Sequence, residues 1–218
     1  MIKAVIFDMD GVIVDSEPVY LKIQWEYAKK KNPDVTYKQL FPMVGATKKD
    51  AWSVMEKAVD NGQTWQELRT EFKEKIDLFT NTDYQSIFRP EIKSVLDALK
   101  NQGYKLAVAS STQIDVVEKV MKVNSIYTYF DTLVSGDQFT MSKPDPEIYH
   151  YTAKKLGVKE NECFVVEDSP YGILAAKRAG MTVAALYDSS FHFDQHLADY
   201  HIQNVKEILD ILLKMEKS

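Results

Sequence analysis

A chain of 218 residues with 45% apolar side chains can form one large domain, or a medium domain carrying an insert, around a true core. Its formal charge of −5 argues against nucleic acid as a partner, since phosphate-backbone binding usually needs a basic surface. No stretch approaches the roughly 18 uninterrupted apolar residues of a membrane span, and the single cysteine, Cys163, rules out an internal disulfide. Met1-Ile2-Lys3 runs straight into an apolar segment without a signal-peptide layout. A cytoplasmic, monomeric protein without membrane attachment is the expectation.

The run Ala4-Val5-Ile6-Phe7 predicts a strand buried on both faces, as in a parallel sheet, and it breaks into Asp8-Met9-Asp10-Gly11. Ligand chemistry in such sheets gathers just beyond the carboxyl ends of the strands. Residues two apart in extended chain point the same way, so Asp8 and Asp10 can approach one ion or one phosphoryl group, while Gly11 permits a sharp turn. The alternative is a polar Asp-x-Asp-Gly turn with no ligand. A calcium loop of EF-hand type does not fit, because Val12 and Val19 stand where an oxygen ligand and the closing glutamate belong.

Between 15 and 88 the strand pattern gives way to amphipathic helix. Val19, Ile23 and Tyr27 recur every four residues, and Leu68, Phe72, Ile76 and Phe79 mark a second face. Pro18 and Pro90 suit helix starts at the two joints. Within the insert, Val44-Gly45-Ala46-Thr47-Lys48-Lys49-Asp50 places Thr47 as the cap of a helix through Trp52 and Met55, its lysines otherwise simply solvated.

Lys105-Leu106-Ala107-Val108-Ala109 predicts a second strand, ending in Ser110-Ser111-Thr112. Hydroxyls and free N–H groups ahead of a helix can hold an anion, or the serines merely cap the helix. A third strand, Thr132-Leu133-Val134, precedes Ser142-Lys143-Pro144-Asp145-Pro146, where a proline fixes the backbone beside Lys143 just before a helix starting near Asp145. Alone, Lys143 reads as a surface lysine. A fourth strand, Cys163-Phe164-Val165-Val166, ends in Glu167-Asp168-Ser169-Pro170, with Asp168 or Ser169 available as a helix cap. Cys163 itself reads as an inert buried thiol. Each strand thus offers polar chemistry at one edge, and together the set is a kit for phosphoryl transfer: two acids, an anion cradle, a fixed cation and an acidic pair.

In the tail, Phe191-His192-Phe193-Asp194-Gln195-His196 with His201 invites a metal reading. Zinc wants three or four supported ligands, so an outer helix leading into a last strand is expected instead, followed by a final helix through Ile208, Leu209, Ile211, Leu212 and Leu213.

On its motifs Asp8-Met9-Asp10-Gly11, Ser110, Lys143 and Glu167-Asp168 the chain resembles the haloacid dehalogenase superfamily. Phe7-Asp8-Met9-Asp10-Gly11-Val12-Ile13-Val14-Asp15-Ser16-Glu17, Ser142-Lys143-Pro144-Asp145-Pro146 and Glu167-Asp168-Ser169 with Gly172, Ala175, Ala176, Ala179 and Gly180 resemble its β-phosphoglucomutase-like phosphatases. The resemblance spans essentially the whole chain. It implies an α/β, doubly wound parallel-sheet (Rossmann-like) core from 1–14 and 89–218, and an inserted all-helical cap domain over 15–88 that closes on the strand-end site. It also implies a Mg²⁺-dependent phosphatase of small phosphomonoesters, sugar phosphates foremost.

By the same resemblance Asp8 is the nucleophile that forms an aspartyl-phosphate, and with a reference pKa near 3.9 it is expected to be ionised already at neutral pH. Asp8, the Asp10 main-chain carbonyl and Asp168 hold Mg²⁺, and Glu167 supports that shell or joins it. Lys143, Ser110 and the Ser111 N–H bind the phosphoryl oxygens, and Asp10 serves as acid and then base. Tyr20, Gly45, Thr47 and Lys48 are the cap candidates for substrate contact, although mutase relatives carry histidine and arginine where this chain has Tyr20 and Lys48. Two rivals are a phosphosugar mutase and a phospho-accepting receiver-like module; receivers have no helical cap.

Overall fold

The computed structural model of the protein describes residues 1–80 and 82–217. In chain order its elements are β1 (Ala4–Phe7), α1 (Glu17–Lys31), α2 (Lys48–Val59), α3 (Trp65–Lys75), α4 (Glu91–Asn101), β2 (Lys105–Ser110), α5 (Ile114–Val123), β3 (Thr132–Ser135), α6 (Glu147–Leu156), β4 (Cys163–Glu167), α7 (Pro170–Arg178), β5 (Thr182–Leu186), β6 (Tyr200–Ile202) and α8 (Glu207–Glu216). They form two compact units, Met1–Asp15 with Tyr84–Ser218, and Ser16–Asp83. The sequence reading put these joints at 14/15 and 88/89. Residues just ahead of Arg89 stay with the first unit because they pair with the outgoing segment: Asp15 N donates to Ile87 O, Arg89 N donates to Ile13 O, and Val14 bridges Phe88.

In the first unit, six strands among the described residues form one parallel sheet in the order β3-β2-β1-β4-β5-β6. The chain runs from β1 outward on one side and returns at β4 to run outward on the other. Such a reversal opens a crevice at the strand ends, the usual ligand position of doubly wound sheets. Strand alternation sends Ala4, Ile6, Ala107, Ala109, Cys163, Val165, Val183 and Ala185 into one buried cluster with Tyr149, Ala153 and Leu156 of α6 and Ile173, Ala175 and Ala176 of α7. Small alanines on the strands let these helices lie close. β5 is an element the sequence reading did not single out, and 191–199 contains no helix. There Asp188 accepts the N–H of Ser190 and Phe191, and Asp194 that of His196, so side chains close local turns that compete with a helix.

The second unit is built from α1, a tight 3-10 turn at Tyr37–Met43, α2 and α3. Pro18 sits in the first turn of α1, and Pro90 immediately precedes α4. The buried residues of α1 are Tyr20, Leu21, Tyr27 and Ala28, so the inner face is rotated from the expected Val19-Ile23-Tyr27 line. Thr47 caps α2, and Thr64 with Glu67 closes a reciprocal box at the start of α3. That helix stops at Lys75 because Ile76 turns to extended backbone and Asp77 gathers the N–H groups of Phe79 and Thr80; Ile76 and Phe79 therefore do not prolong its face. No helix among the described residues is long and apolar enough to cross a membrane.

Candidate active site

The polar ends of β1, β2 and β4 meet in the first unit. Phe7 pairs with Val108 and Val166, so Asp8 emerges beside the end of β4, to which its N–H donates at Val166 O. The chain then turns sharply, with Gly11 at φ +82°; a Cβ there would overlap the Asp168 carboxylate. Glycine is thus required twice over, for the left-handed backbone and for the space the acid occupies.

Lys143 is only 8% exposed, which overturns its isolated reading as a surface lysine. Its ammonium donates to Asp8 Oδ1 at 2.6 Å, Glu167 Oε1 at 2.7 Å and Ala109 O at 3.0 Å, using all three of its N–H bonds. Glu167 is equally committed. Its Oε1 also accepts from the Tyr149 hydroxyl at 3.1 Å, and its Oε2 accepts the N–H of Asp168 and Ser169 and the Ser169 hydroxyl. Ser169 in turn caps α7 at Gly172 N. A Cβ on Gly172 would overlap the Glu167 carboxylate, so the first turn of the helix leaves room for that acid.

This packing decides the charge states. Burial opposes the Lys143 charge, but Asp8 and Glu167 beside it hold the ammonium well above its usual range. Burial alone would raise Glu167; Lys143 and the backbone N–H donors bring it below the ordinary carboxylate range instead. Asp8 fares differently: burial, offset in part by Lys143 but reinforced by Glu167 and Asp10, pushes it up to about 8. In the metal-free site burial thus works against the ready ionisation of Asp8 that an ordinary carboxylate would show. A further cation beside it would favour the ionised carboxylate.

The residues fit a hard divalent ion. Asp8, Glu167 and Asp168, all buried, each offer a carboxylate oxygen within 4.8 Å of the others, the oxygen-only chemistry that Mg²⁺ takes. Asp10 does not join this group by its side chain: its Oδ2 accepts from the Thr112 hydroxyl at 2.7 Å. Ser110 is buried, its Oγ accepting Thr112 N, and Ser111 lies exposed in the turn before α5.

Four supporting residues escaped sequence reasoning as site members. Thr112 lay within a quoted motif, Arg89 donates to Gly11 O and Asp15, and Tyr149 and Gln195 reach their partners across the fold. Gln195, 7% exposed, donates to both Asp168 O and Leu186 O, tying the tail to the ends of β4 and β5. The nearby histidines pair locally, His192 with Tyr187, His196 with Asp194 and His201 with Gln195 O.

The other candidates lie in the second unit. Tyr20 is buried on α1 with Phe79 edge-on at 5.7 Å, Gly45 adopts φ +68°, and Thr47 is engaged with Asp50 as the α2 cap. Lys48 is exposed at the start of α2. On α3, Lys73 is held below its usual range by desolvation and then by the positive charges of Arg69 and of Lys48 on α2.

The haloacid dehalogenase-like hydrolase family matches residues 5–186. A phosphorylated carbohydrates phosphatase of Thermotoga maritima is 32% identical over 181 residues, 82% of each chain. Hexitol phosphatase B of Escherichia coli is 31% identical over 188 residues, 83% of this chain and 81% of its own. A putative β-phosphoglucomutase structure from Thermotoga maritima superposes with a TM-score of 0.73 at 28% identity, covering 98% of this chain and 99% of its own. The β-phosphoglucomutase of Clostridium difficile shares the fold over the full length of both chains, with a TM-score of 0.76 and 21% identity. The chain belongs to the haloacid dehalogenase-like hydrolases, in their β-phosphoglucomutase-like branch, and is an enzyme of the phosphoric monoester hydrolase type.

Proposed function

We propose that the protein is a Mg²⁺-dependent phosphatase of small phosphorylated carbohydrates that works through a phosphoryl group carried on Asp8. The supporting observation is the buried array at the reversal of the sheet, in which one lysine touches Asp8 and Glu167 while Asp168 lies alongside. An oxygen of Asp8 attacks phosphorus as the ester oxygen leaves with a proton from Asp10; Asp10 then takes a proton from the water that attacks the Asp8 phosphate and restores the carboxylate. The Asp10–Thr112 hydrogen bond orients that acid. Lys143 neutralises phosphoryl oxygens, helped by the Ser110 hydroxyl and the Ser111 N–H. Asp8, Asp168 and the Asp10 carbonyl would hold Mg²⁺, with Glu167 beside them; when bound, the ion offsets repulsion between carboxylate and phosphate. The named substrates of the two phosphatase relatives direct the substrate class. The cations Lys48, Arg69 and Lys73 suit an anionic or hydroxyl-rich leaving group.

The test is phosphate release from a panel of sugar and polyol phosphates. Turnover should vanish with chelator and return with Mg²⁺, and Asp8→Asn should lose several orders of magnitude while remaining folded. Chelator-resistant hydrolysis, or activity surviving in Asp8→Asn, would overturn the reading.

A further inference from the structure

We infer that Tyr149 is a positioning residue of this site, its ring face and its hydroxyl together holding Lys143 and Glu167 in the arrangement that sets the ammonium against Asp8. The inference rests on the reading of Lys143 as the cation that meets the phosphoryl group.

Tyr149 lies near the start of α6, the helix that follows directly on the Lys143-Pro144-Asp145-Pro146 segment, and it is fully buried. A buried phenol needs a hydrogen-bond partner, and this one takes Glu167 Oε1, the same oxygen that receives the Lys143 ammonium. The ammonium also stands 5.1 Å from the centre of the Tyr149 ring, inside the range of a cation–π contact. Lysine, glutamate and phenol thus form a closed triangle, with every side a polar or cation–π contact. Lys143 has a flexible four-carbon stem, and a lone carboxylate partner would leave it several rotamers. With the ring against it and Glu167 pinned by the hydroxyl and by backbone N–H groups, Asp8 Oδ1 and Ala109 O complete its shell.

A purely structural role is the rival, since the Tyr149 ring also packs with Ile148, Ala153 and Val165 in the sheet's core. Phenylalanine would serve that role equally well. The hydroxyl separates the two accounts.

Tyr149→Phe keeps the ring and deletes the donor. In the full-length protein with Mg²⁺ and a sugar phosphate that the wild type hydrolyses, it should lower kcat about tenfold, the scale of one hydrogen bond to a charged group, with KM nearly unchanged and little loss of thermal stability. The ¹⁵N-ammonium resonance of Lys143, identified by its disappearance in Lys143→Arg, should shift and exchange faster with water in Tyr149→Phe. p-Aminophenylalanine at position 149, which restores an N–H donor, should recover most of the lost kcat and return the resonance toward its wild-type position. A wild-type kcat and an unmoved resonance in Tyr149→Phe would overturn the inference. The resonance is read without turnover, so failure of the phosphatase reading and failure of the positioning role are distinguished.

Discussion

Two buried acids, Asp8 and Glu167, share one lysine, and the neighbours of each decide which holds its charge more firmly. Glu167 keeps its charge because it also accepts backbone N–H groups from Asp168 and Ser169. Asp8, buried between that charge and Asp10, is the one pushed up, to about 8 from an ordinary 3.8. In the metal-free protein the folded state therefore holds a proton that the unfolded chain has lost between those two values. Stability from this group is complete below pH 3.8 and disappears as the pH rises through about 8. Glu167 acts in the opposite sense, since its pKa is lowered on folding and its contribution is lost only as the pH falls through the acid range. Melting in chelator should thus show a falling Tm from pH 5 to 8, with a flatter slope in Asp8→Asn. A steep fall retained in that variant would assign the effect elsewhere. Mg²⁺ competes with the same proton, so its stabilisation should be larger at pH 8 than at pH 5. Asp10 is tested by rate instead. Asp10→Asn should slow turnover by roughly 10²–10⁴-fold, the usual range for a lost general acid–base, and near-wild-type kinetics would remove that role.

The helix α7 carries the site's most sharply testable packing. Alanine is a better helix former than glycine by about 1 kcal/mol, so propensity alone predicts that Gly172→Ala firms the helix. The added Cβ would instead overlap the Glu167 carboxylate, and either that acid or the helix start must move. The expected result is a lower Tm together with at least a tenfold loss of kcat, on the scale of a displaced charge-assisted hydrogen bond. A more stable and fully active Gly172→Ala would show that the carboxylate has room to spare. The glycine itself was visible in the sequence as part of a family pattern, but its reason was not. Strands β1, β2 and β4 were legible because a strand covered on both faces must be a continuous apolar run that ends where polar chemistry begins. β5 has the same apolar character in Val183-Ala184-Ala185-Leu186 but ends in no constellation that draws notice. The tail misled because periodicity counts side-chain types, whereas Asp188 and Asp194 spend their oxygens on turns. Tyr149 and Gln195 were illegible for another reason. Their partners lie 18 and 27 residues away in sequence, and only the packed sheet brings them together.

At the scale of the whole molecule, the choice is between releasing phosphate to water and returning it to a second hydroxyl. The first unit does not decide it, since the phosphoryl group proposed on Asp8 serves both outcomes. A mutase must keep that intermediate from water and hold a bisphosphate in two orientations, which demands well-placed donors from its second unit. By the resemblance of the sequence, that unit departs from the mutase pattern at two positions. Tyr20, buried against Phe79, stands where the mutases carry histidine, and a phenol does not exchange protons near neutral pH as an imidazole does. Lys48, exposed at the start of α2, stands in place of an arginine; it brings charge without the planar fork that grips a phosphate bidentately. Its neighbours Arg69 and Lys73 add positive potential, which suits attraction of many anionic leaving groups better than selection of one. The expected outcome is that β-glucose 1-phosphate, given Mg²⁺ and a trace of the bisphosphate, yields free phosphate with little glucose 6-phosphate. On the reading of Lys48 as a substrate contact, Lys48→Ala should raise KM for sugar phosphates several-fold while leaving kcat nearly unchanged, because a contact to the leaving group far from phosphorus contributes uniform binding. Rapid isomerisation with little phosphate release would make the protein a mutase despite Tyr20 and Lys48. In that case Lys48→Ala would have to depress isomerisation through kcat, since the clamp would then act on the intermediate and not merely on the arriving substrate.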